Sequence, residues 1–362
     1  MEIVYYFKDY QIPMYQWQHV HILDELQTKG CNVTIVNPLD YASVDEANDA
    51  LIKYIENKQV DLFMTPHNEE DLWIETLESI KMHGIPTLLI CFDNLVVPFV
   101  HFKIAPYFDL VWLTSKETKL LFDKLGVNSV FLPYAANPNL ERCEEAIEGV
   151  GFVGTPYGSR ANMINALTSN EISVYCHFIK NAKLQDGIVE PHSTMSQYQI
   201  ALEFLKFPQG RRIIEGAIIN RFKKTAVLDE NENLHKCVVV PPSELYKVYP
   251  KYSLALSSTA ARNTGVLKHP LYIVNLRSFE IPMSGGLQIC QYTDEMAEYF
   301  EDGKEIIFYN TYDELIDKAK YYCSPRRDSI RKKMREAARE KAVAHHTWYK
   351  RFSVVFKLLD IV

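Results

Sequence analysis

The stretch EIVYYFKDYQIPMYQWQHVHILDELQTKGCNVTIV, residues 2–36, carries the pattern that decides the fold class. It begins with a short apolar run at residues 2–7 and ends with another at 32–36, each of the length of a buried strand. Between them, apolar side chains recur with a helical period over residues 17–29, and Gly30 is suited to end that helix. A strand, a helix and a second strand in this order predict two parallel strands joined by a right-handed crossover.

The same alternation of apolar runs and helical patterns continues along the chain. In the first half it predicts further strands at residues 60–64, 86–91, 108–113 and 128–132. After a break containing Pro and Asn at 133–149, it predicts strands at 151–154, 172–178, 237–240, 252–258 and 286–291. Largely apolar strands that alternate with helices are typical of parallel sheets covered on both faces, so we expect an α/β protein with two doubly wound domains.

Composition excludes several classes of protein. The chain has 362 residues, of which 47 % are hydrophobic and 23 % are charged, as in a globular protein of about two domains. The chain has 39 Lys and Arg residues and 46 Asp and Glu residues, so its net charge is −7. A negative net charge gives no reason to expect a nucleic-acid partner. Seven scattered cysteines without a C-x-x-C pair argue against a disulfide or zinc scaffold and favour the cytoplasm. Neither a secretion signal nor a membrane-spanning run is evident.

The breaks in the pattern predict the domain boundaries. We expect a first domain at residues 1–140, a second at 150–344 and a last helix at 345–362. Residues 180–235 do not fit a minimal α/β repeat, and their apolar and basic stretches predict a helical insertion in the second domain. The basic face of this insertion is either simply solvated or a surface for an acceptor, a partner subunit or anionic lipid. The charges at 331–333 are expected to form a solvated helix face.

The densest group of residues suited to chemistry is NLRSFEIPMSGG, residues 275–286. Asn275 can cap a helix whose first amides would then be able to bind phosphate. Arg277 adds a planar charged fork, and Glu280, three residues later on the same helical face, could accept both hydroxyls of a ribose. The same spacing fits a capped surface helix with an internal Arg277–Glu280 ion pair, and spacing alone favours that alternative by a small margin.

Four segments carry a resemblance to a known family. They are FVGTPYGSR (152–160), LRSFEIPMSGGLQIC (276–290), EYFEDGKEIIFYNTYDELIDKAKYY (298–322) and HHTWYKRF (345–352). Together they resemble the carboxyl-terminal domain of the CgeB-like, spore-maturation-protein type of glycosyltransferase, which belongs to the group 1 class with the GT-B fold. The first half of the chain is similar more loosely, and residues 180–235 are the least similar.

The resemblance implies an architecture and an activity. Two Rossmann-like domains would face each other across a cleft, with a nucleotide-sugar donor on the second domain and an acceptor on the first. The last helix, residues 345–362, would cross back to the first domain. Such enzymes need no metal cofactor, and the sequence has no D-x-D motif of the kind that holds a metal in other glycosyltransferases.

The family pattern also implies roles for individual residues of the donor domain. Glu280 matches the glutamate that binds the nucleotide ribose. The loop that faces the donor diphosphate matches Asn275, Leu276, Arg277 and Ser278.

Three further matches complete the implied donor site, and one position departs from the pattern. Gly154 matches the glycine at a strand end, and Arg160 matches the basic residue that neutralises the leaving phosphate. Val240 and Pro241 match the turn that borders the base. Tyr272 stands where many retaining relatives have a second glutamate, so the stereochemistry of the reaction cannot be transferred to this chain.

An inverting enzyme would need a general base in the first domain. The candidates at predicted strand ends are Asp93, His67 and Glu69, and His101 follows soon after them. Asp93 also suits a turn, and His67 a cap. In a retaining enzyme these residues would instead position a sugar. His19 and His21 lie at the start of the first helix, and one of them is expected to face the cleft while the other is structural.

The sequence therefore predicts a metal-independent glycosyltransferase of the hexosyl or N-acetylhexosaminyl class. It would move a sugar from a nucleotide donor, UDP-linked by expectation, to a hydroxyl of a glycan, a lipid-linked glycan or a protein. The expected location is the cytoplasm, with peripheral contact to the inner face of the membrane left open. The alternatives are a sugar-nucleotide epimerase or hydrolase on the same fold, and a non-catalytic module that binds a glycan or a partner.

Overall fold

The computed structural model describes residues 1–10, 13–156, 159–177, 196–222, 227–238, 240 and 242–361. Its contacts divide the chain into two compact units. The first consists of Met1–Tyr134, His192–Glu203 and Trp348–Val362, and the second of Ala135–Pro191 and Phe204–Thr347. Each unit is built around one parallel sheet of six strands.

The first sheet has the order β2-β1-β3-β4-β5-β6, and all of its pairs are parallel. Its strands are β1 (Glu2–Tyr6), β2 (Asn32–Val36), β3 (Leu62–Thr65), β4 (Thr87–Cys91), β5 (Leu110–Leu113) and β6 (Ser129–Phe131). Every residue of β3, β4 and β5 is buried, because helices cover the sheet on both faces. This explains why these strands appear in the sequence as continuous apolar runs rather than as alternating ones.

The helices of the first unit are shorter and more varied than the sequence predicts. They are α1 (Pro13–Gln18), α2 (Asp24–Thr28), α3 (Val44–Asn57), α4 (Ile74–Met82), α5 (Lys119–Asp123) and α13 (Trp348–Leu358). The single helix predicted at 17–29 is in fact α1, a π-helical turn at His19–Leu23, and α2. The wide turn buries the side chains of His21, Ile22 and Leu23.

The second sheet has the order β12-β11-β10-β7-β8-β9 and is also parallel throughout. Its strands are β7 (Ile147–Val153), β8 (Val174–His177), β9 (Leu234–Cys237), β10 (Tyr252–Ser257), β11 (Gln288–Gln291) and β12 (Ile307–Tyr309). The accompanying helices are α6 (Ser159–Thr168), α8 (Pro208–Phe222), α9 (Arg277–Met283), α10 (Asp294–Tyr299), α11 (Tyr312–Cys323) and α12 (Asp328–His345). The two sheets confirm the predicted α/β fold.

The insertion predicted at 180–235 contains two described helices, α7 (Gln197–Leu205) and α8. Residues 180–195 and 223–226 lie outside the described part of the chain. The helix α8 packs against the 3-10 turn Arg262–Val266 of the second unit.

A buried ion pair corrects one expectation about α12. Arg331 was expected on a solvated face, but its side chain is only 4 % exposed and donates to the Glu145 carboxylate at 2.7 Å and 3.0 Å. Arg335 lies 3.1 Å from the same carboxylate. The sequence could not separate Arg331 from its solvated neighbours, because the carboxylate that pairs with it is far away along the chain.

Both sheets have a point where the chain reverses its direction of winding. β1 lies between β2 and β3, and β7 lies between β8 and β10, so each first strand has a later strand on either side. In open α/β sheets, ligands bind beyond the carboxyl ends of the strands at such points. The loops that follow β1 and β3 in the first unit, and β7 and β10 in the second, are therefore the places to search for function.

His101, buried in the first unit, makes the stability of that unit sensitive to acid. Its Nε2 lies 3.0 Å from the Pro66 carbonyl oxygen. Burial lowers the pKa of His101 from 6.5 to about 4, against the smaller opposing effect of this hydrogen bond. The unfolded chain therefore takes up the proton first as pH falls, so the folded state loses stability between pH 6.5 and pH 4. From pH 7 to pH 5 the loss from this group is about 2 kcal/mol.

We expect His101→Gln to lose this part of the pH dependence, which urea unfolding followed by tryptophan fluorescence at pH 7 and pH 5 would measure. His83→Gln is the matched control, because His83 is exposed at the end of α4 and should behave as the wild type does. An identical difference between the two pH values in the wild type and in His101→Gln would contradict the assignment.

Candidate functional site

In the second unit the chain leaves β7 at Gly154, where the backbone takes a positive φ of 133°. The Gly154 amide donates to the His177 carbonyl at 3.0 Å, which holds the turn against β8. A Cβ on Gly154 would lie 3.1 Å from Nη2 of Arg277, so the guanidinium packs directly on the glycine. Only glycine combines this φ with so close an approach. Gly154 and Arg277, both predicted site residues, therefore meet at the winding reversal of the second sheet.

The turn into α9 differs in detail from the predicted cap. The helix begins at Arg277, and Leu276, with a helical backbone, lies at the cap position. Asn275 precedes the cap, and its Oδ1 accepts from the Arg277 amide at 3.1 Å. The Ser278 amide donates to the Asn275 carbonyl at 3.0 Å. The amides of Arg277 and Ser278 thus already have acceptors in the chain, because the tight first turn satisfies them, and charge at this turn comes from the guanidinium instead.

Glu280 is 5 % exposed, and its carboxylate accepts a hydrogen bond from Tyr249. The Tyr249 hydroxyl donates to Glu280 Oε2 at 3.0 Å, and the positive charge of Arg277 also acts on this hydroxyl. Burial, and then the Glu280 carboxylate, raise the pKa of Tyr249 well above its usual range, so the hydroxyl stays protonated. Tyr249 therefore holds Glu280 in place close to the charge of Arg277. No pattern in the sequence indicates this role, since Tyr249 appears there as one more aromatic residue in a short turn.

Buried hydroxyl groups accumulate at the end of β10 and the start of α9. The side-chain oxygens of Ser257, Thr259 and Ser278 are buried, and none of them has a hydrogen-bond partner among the described residues. An unpaired buried hydroxyl costs free energy, so three of them along one strand end and its neighbouring helix call for an explanation. All three oxygens are inaccessible in this structure, so a ligand would contact them only after neighbouring groups had moved. Ser278 was predicted to face the donor, whereas Ser257 and Thr259 were not singled out.

The remaining donor-side residues are partly described. Arg160 lies at the start of α6, half-buried, with Nη1 3.3 Å from the Thr155 carbonyl oxygen in the loop after β7. Val240 is half-buried and packs on an apolar group that includes Val153 and Tyr249. Pro241 lies outside the described residues.

In the first unit, His67 is engaged through both of its ring nitrogens. Nε2 accepts from the Lys8 amide at 2.9 Å, and Nδ1 lies 2.9 Å from Asp71 Oδ2. Because a backbone amide can only donate, the proton of the ring is on Nδ1. Although burial acts to raise it, hydrogen bonds from His67 and Lys8 lower the pKa of Asp71 to about 2. In this geometry His67 joins the loops after β1 and β3 and has no lone pair left for a substrate hydroxyl.

Asp93, another predicted candidate base, lies exposed in the loop after β4. Its backbone has a positive φ of 52°, a conformation that aspartate tolerates better than most residues. Its Oδ1 accepts from the Tyr134 hydroxyl at 3.2 Å. The structure therefore places a carboxylate at the ligand-binding edge of the first sheet, two strands away from β1 in the strand order.

The described residues include neither a cluster of metal ligands nor a helix that could cross a membrane. No three His, Cys, Asp or Glu side chains in the described part of the chain come together as a metal site would require. Among the helices that the structure describes, none has both the length and the hydropathy of a segment that crosses a bilayer.

Comparisons with known proteins place this geometry in context. Residues 201–356, which include α9 and its turn, match the family model described as "Glycosyl transferase-like". No curated protein sequence matches the chain at a significant level.

Solved structures show that the fold is GT-B. The crystal structure of Anabaena Alr3699/HepE in complex with UDP and glucose is 9 % identical, with a TM-score of 0.58 over 100 % of both chains. An alpha-glucosyltransferase in complex with UDP-glucose and DNA containing an abasic site is 13 % identical, with a TM-score of 0.64 over 99 % of both chains. The sucrose-phosphate synthase of Thermosynechococcus elongatus is 10 % identical, with a TM-score of 0.51 over 99 % of both chains.

Proposed function

We propose that the protein is a glycosyltransferase of the CgeB-like type that uses a UDP-linked donor. It would transfer a hexosyl or N-acetylhexosaminyl group to a hydroxyl of a glycan, a lipid-linked glycan or a protein. The observation that carries the proposal is the Arg277 guanidinium seated on Gly154 at the winding reversal of the second sheet. Arg277 lies within the segment, residues 201–356, that matches the glycosyltransferase-like family model. Two structures of the same fold are complexes with UDP or UDP-glucose, which supports a donor of this chemistry.

The donor would bind through several kinds of contact. Arg277, with Arg160 beside the loop after β7, would bind the diphosphate, since a guanidinium matches the geometry of phosphate oxygens. Glu280, held by Tyr249, would accept the hydroxyls of the ribose.

The chemistry then follows from charge. The bond between the anomeric carbon and the diphosphate oxygen breaks, and its electron pair leaves with UDP. The acceptor oxygen forms the new bond to the anomeric carbon and gives up its proton. Arg277 would stabilise the negative charge that develops on the diphosphate, and a fixed cation in a half-buried site does so more strongly than one in water. In this proposal the guanidinium supplies the positive charge that a metal ion supplies in other glycosyltransferases.

We expect Arg277→Ala to bind UDP about 10- to 100-fold more weakly, because it loses charge-assisted hydrogen bonds to phosphate. Isothermal titration calorimetry with UDP measures this directly. Arg326→Ala is the matched control, since Arg326 is an exposed arginine of the same unit. Equal UDP affinity in Arg277→Ala and the wild type would contradict the proposed site, and UDP binding without turnover of any UDP-sugar would indicate a binding module instead.

Glu280→Gln tests the contact with the ribose separately. The substitution keeps the size of the side chain and an acceptor for Tyr249, but it removes the charge that would hold the ribose hydroxyls. We expect the preference for UDP over 2′-deoxy-UDP to fall about three- to tenfold, because a hydrogen bond to a charged group is worth about 1 kcal/mol more than one to a neutral group. Competition of both nucleotides in calorimetry gives the ratio. An unchanged ratio would remove Glu280 from the ribose site.

The proposed location is the cytoplasm, with contact to the inner face of the membrane through α8. Ile218 and Phe222, one turn apart on this helix, are 52 % and 83 % exposed, and Arg221 beside them is also exposed. The sequence continues with Lys223 and Lys224, so exposed apolar side chains and positive charge occur together. This combination is typical of helices that lie on anionic membranes.

Phe222→Asp should reduce sedimentation with vesicles of phosphatidylglycerol and phosphatidylcholine by severalfold, because it replaces exposed apolar surface with a negative charge. Leu120→Asp is the control, since Leu120 is 72 % exposed in the other unit. Absence of wild-type sedimentation with these vesicles, or an equal loss in both variants, would contradict membrane contact through α8.

A further inference from the structure

The 3-10 turn Tyr249–Lys251 sets the position of the Tyr249 side chain. The carbonyl oxygens of Pro250 and Tyr252, on either side of the last residue of this turn, both accept hydrogen bonds from the Arg335 guanidinium, the first at 3.0 Å. All of these groups are buried. One side chain of α12 therefore holds the backbone from which Tyr249 extends.

Glu145 keeps the Arg335 guanidinium at this turn. Its Oε2 lies 3.1 Å from Nη2 of Arg335. The next residue, Ala146, donates through its amide to the Lys251 carbonyl at 2.9 Å. The carbonyl groups of three consecutive residues, 250–252, are thus all hydrogen-bonded to Arg335 or Ala146. Such a network holds the turn firmly, because hydrogen bonds are stronger in a buried environment than in water.

Arg339, one turn further along α12, holds the end of α9. Its Nη1 donates to the carbonyl of Met283, the last residue of that helix. The last carbonyl groups of a helix have no partner within the helix and form the negative end of its dipole, so a guanidinium is well suited to this place. Because α9 carries Arg277 and Glu280, its orientation decides where both side chains lie.

The turn and α9 are also packed directly against each other. A Cβ on Gly286 would lie 3.1 Å from Cβ of Tyr249 and 3.0 Å from Cγ2 of Ile281 in α9, so a side chain there would crowd both elements. The Tyr249 hydroxyl then donates to Glu280 Oε2 at 3.0 Å. A shift of either element relative to the other would lengthen or misalign this hydrogen bond.

We propose that Arg335 and Arg339 are positioning residues of the donor site. The first acts through the Tyr249 turn and the second through α9, and together they place the Glu280 carboxylate where the ribose hydroxyls bind. The inference rests on the proposed donor function and adds two residues that would not touch the nucleotide. The two arginines are four residues apart, so they lie on one face of α12. All of the contacts that carry the inference lie within the second unit.

The preference for UDP over 2′-deoxy-UDP measures the position of Glu280, and competition of the two nucleotides in calorimetry gives it. We expect Arg335→Lys to lower this preference about two- to fivefold, because lysine keeps a charge beside Glu145 but lacks the rigid fork that reaches both carbonyl groups. Combining Arg335→Lys with Glu280→Gln should leave the preference at the value of Glu280→Gln alone, since Arg335 acts through Glu280.

Arg331→Lys is the matched control, because Arg331 is on the same helix and contacts the same carboxylate. Its other hydrogen bonds, at 2.7 Å and 2.9 Å, go to the carbonyl groups of Tyr322 and Ser324 at the end of α11 and not to the donor site. Both lysine variants should lower the midpoint of urea unfolding, but only Arg335→Lys should lower the preference for UDP. A role in stability alone would shift the midpoint and leave the preference unchanged.

Arg339 gives a second test, since it is half-buried and its substitution disturbs the core less. Arg339→Leu should lower the preference for UDP at least about twofold, because the last carbonyl of α9 loses its donor. Arg339→Lys keeps one charged donor for this carbonyl and should lie closer to the wild type. Should Arg335→Lys fail to fold, the two Arg339 variants decide alone.

The results that overturn the inference are distinct from those that overturn the donor site. If Glu280→Gln lowers the preference for UDP while Arg335→Lys and Arg339→Leu keep the wild-type value, the positioning role is removed and the donor site stands. Equal losses in Arg331→Lys and Arg335→Lys, or additive losses in the double variant, also count against it. If the wild type does not bind UDP, or if Glu280→Gln leaves the preference unchanged, the proposed donor site itself fails, and this inference with it.

Discussion

The close approach of the Arg277 guanidinium to the backbone of Gly154 is the contact on which the candidate donor site depends. It needs a residue without Cβ at a backbone φ of 133°, at the point where β7 ends. Tyr249 donates to the Glu280 carboxylate and lies within the electrostatic influence of the guanidinium, so the three groups belong to one site. A side chain at position 154 would displace the cation from that site.

The sequence predicted the parts of the molecule that depend on local patterns. Buried parallel strands appear as apolar runs, so β1, β2, β4 and most of the other strands could be located. β12 was not among the predicted strands, and β9 begins three residues before its predicted range. The family pattern assigned separate roles to Gly154 and Arg277 but did not predict that they are in contact. The π-helical turn at His19 could not be predicted, because its residues are compatible with a regular helix. Tyr249 and the buried state of Arg331 were missed because both depend on partners that are distant in sequence. Residues whose role comes from tertiary contacts leave no periodic signal.

The two units share the same kind of winding reversal, but the side chains at that point differ in chemistry. At the winding reversal of the second sheet the structure collects buried hydroxyl groups and a guanidinium, which is a donor of hydrogen bonds suited to an anion. At the reversal of the first sheet it collects two carboxylates and two imidazoles, which are paired with each other: Asp9 with His19, and Asp71 with His67. Within this set the roles differ, because the Lys8 amide occupies the second nitrogen of His67, whereas the second nitrogen of His19 has no such partner in the described chain.

The net charge of −7 makes the local placement of cations more important than their number. An anionic donor approaching a chain with this charge gains little from the field of the whole molecule, since exposed charges are screened within about 10 Å. A half-buried arginine is screened less, so the Arg277 guanidinium can attract a phosphate more strongly than an exposed lysine or arginine would.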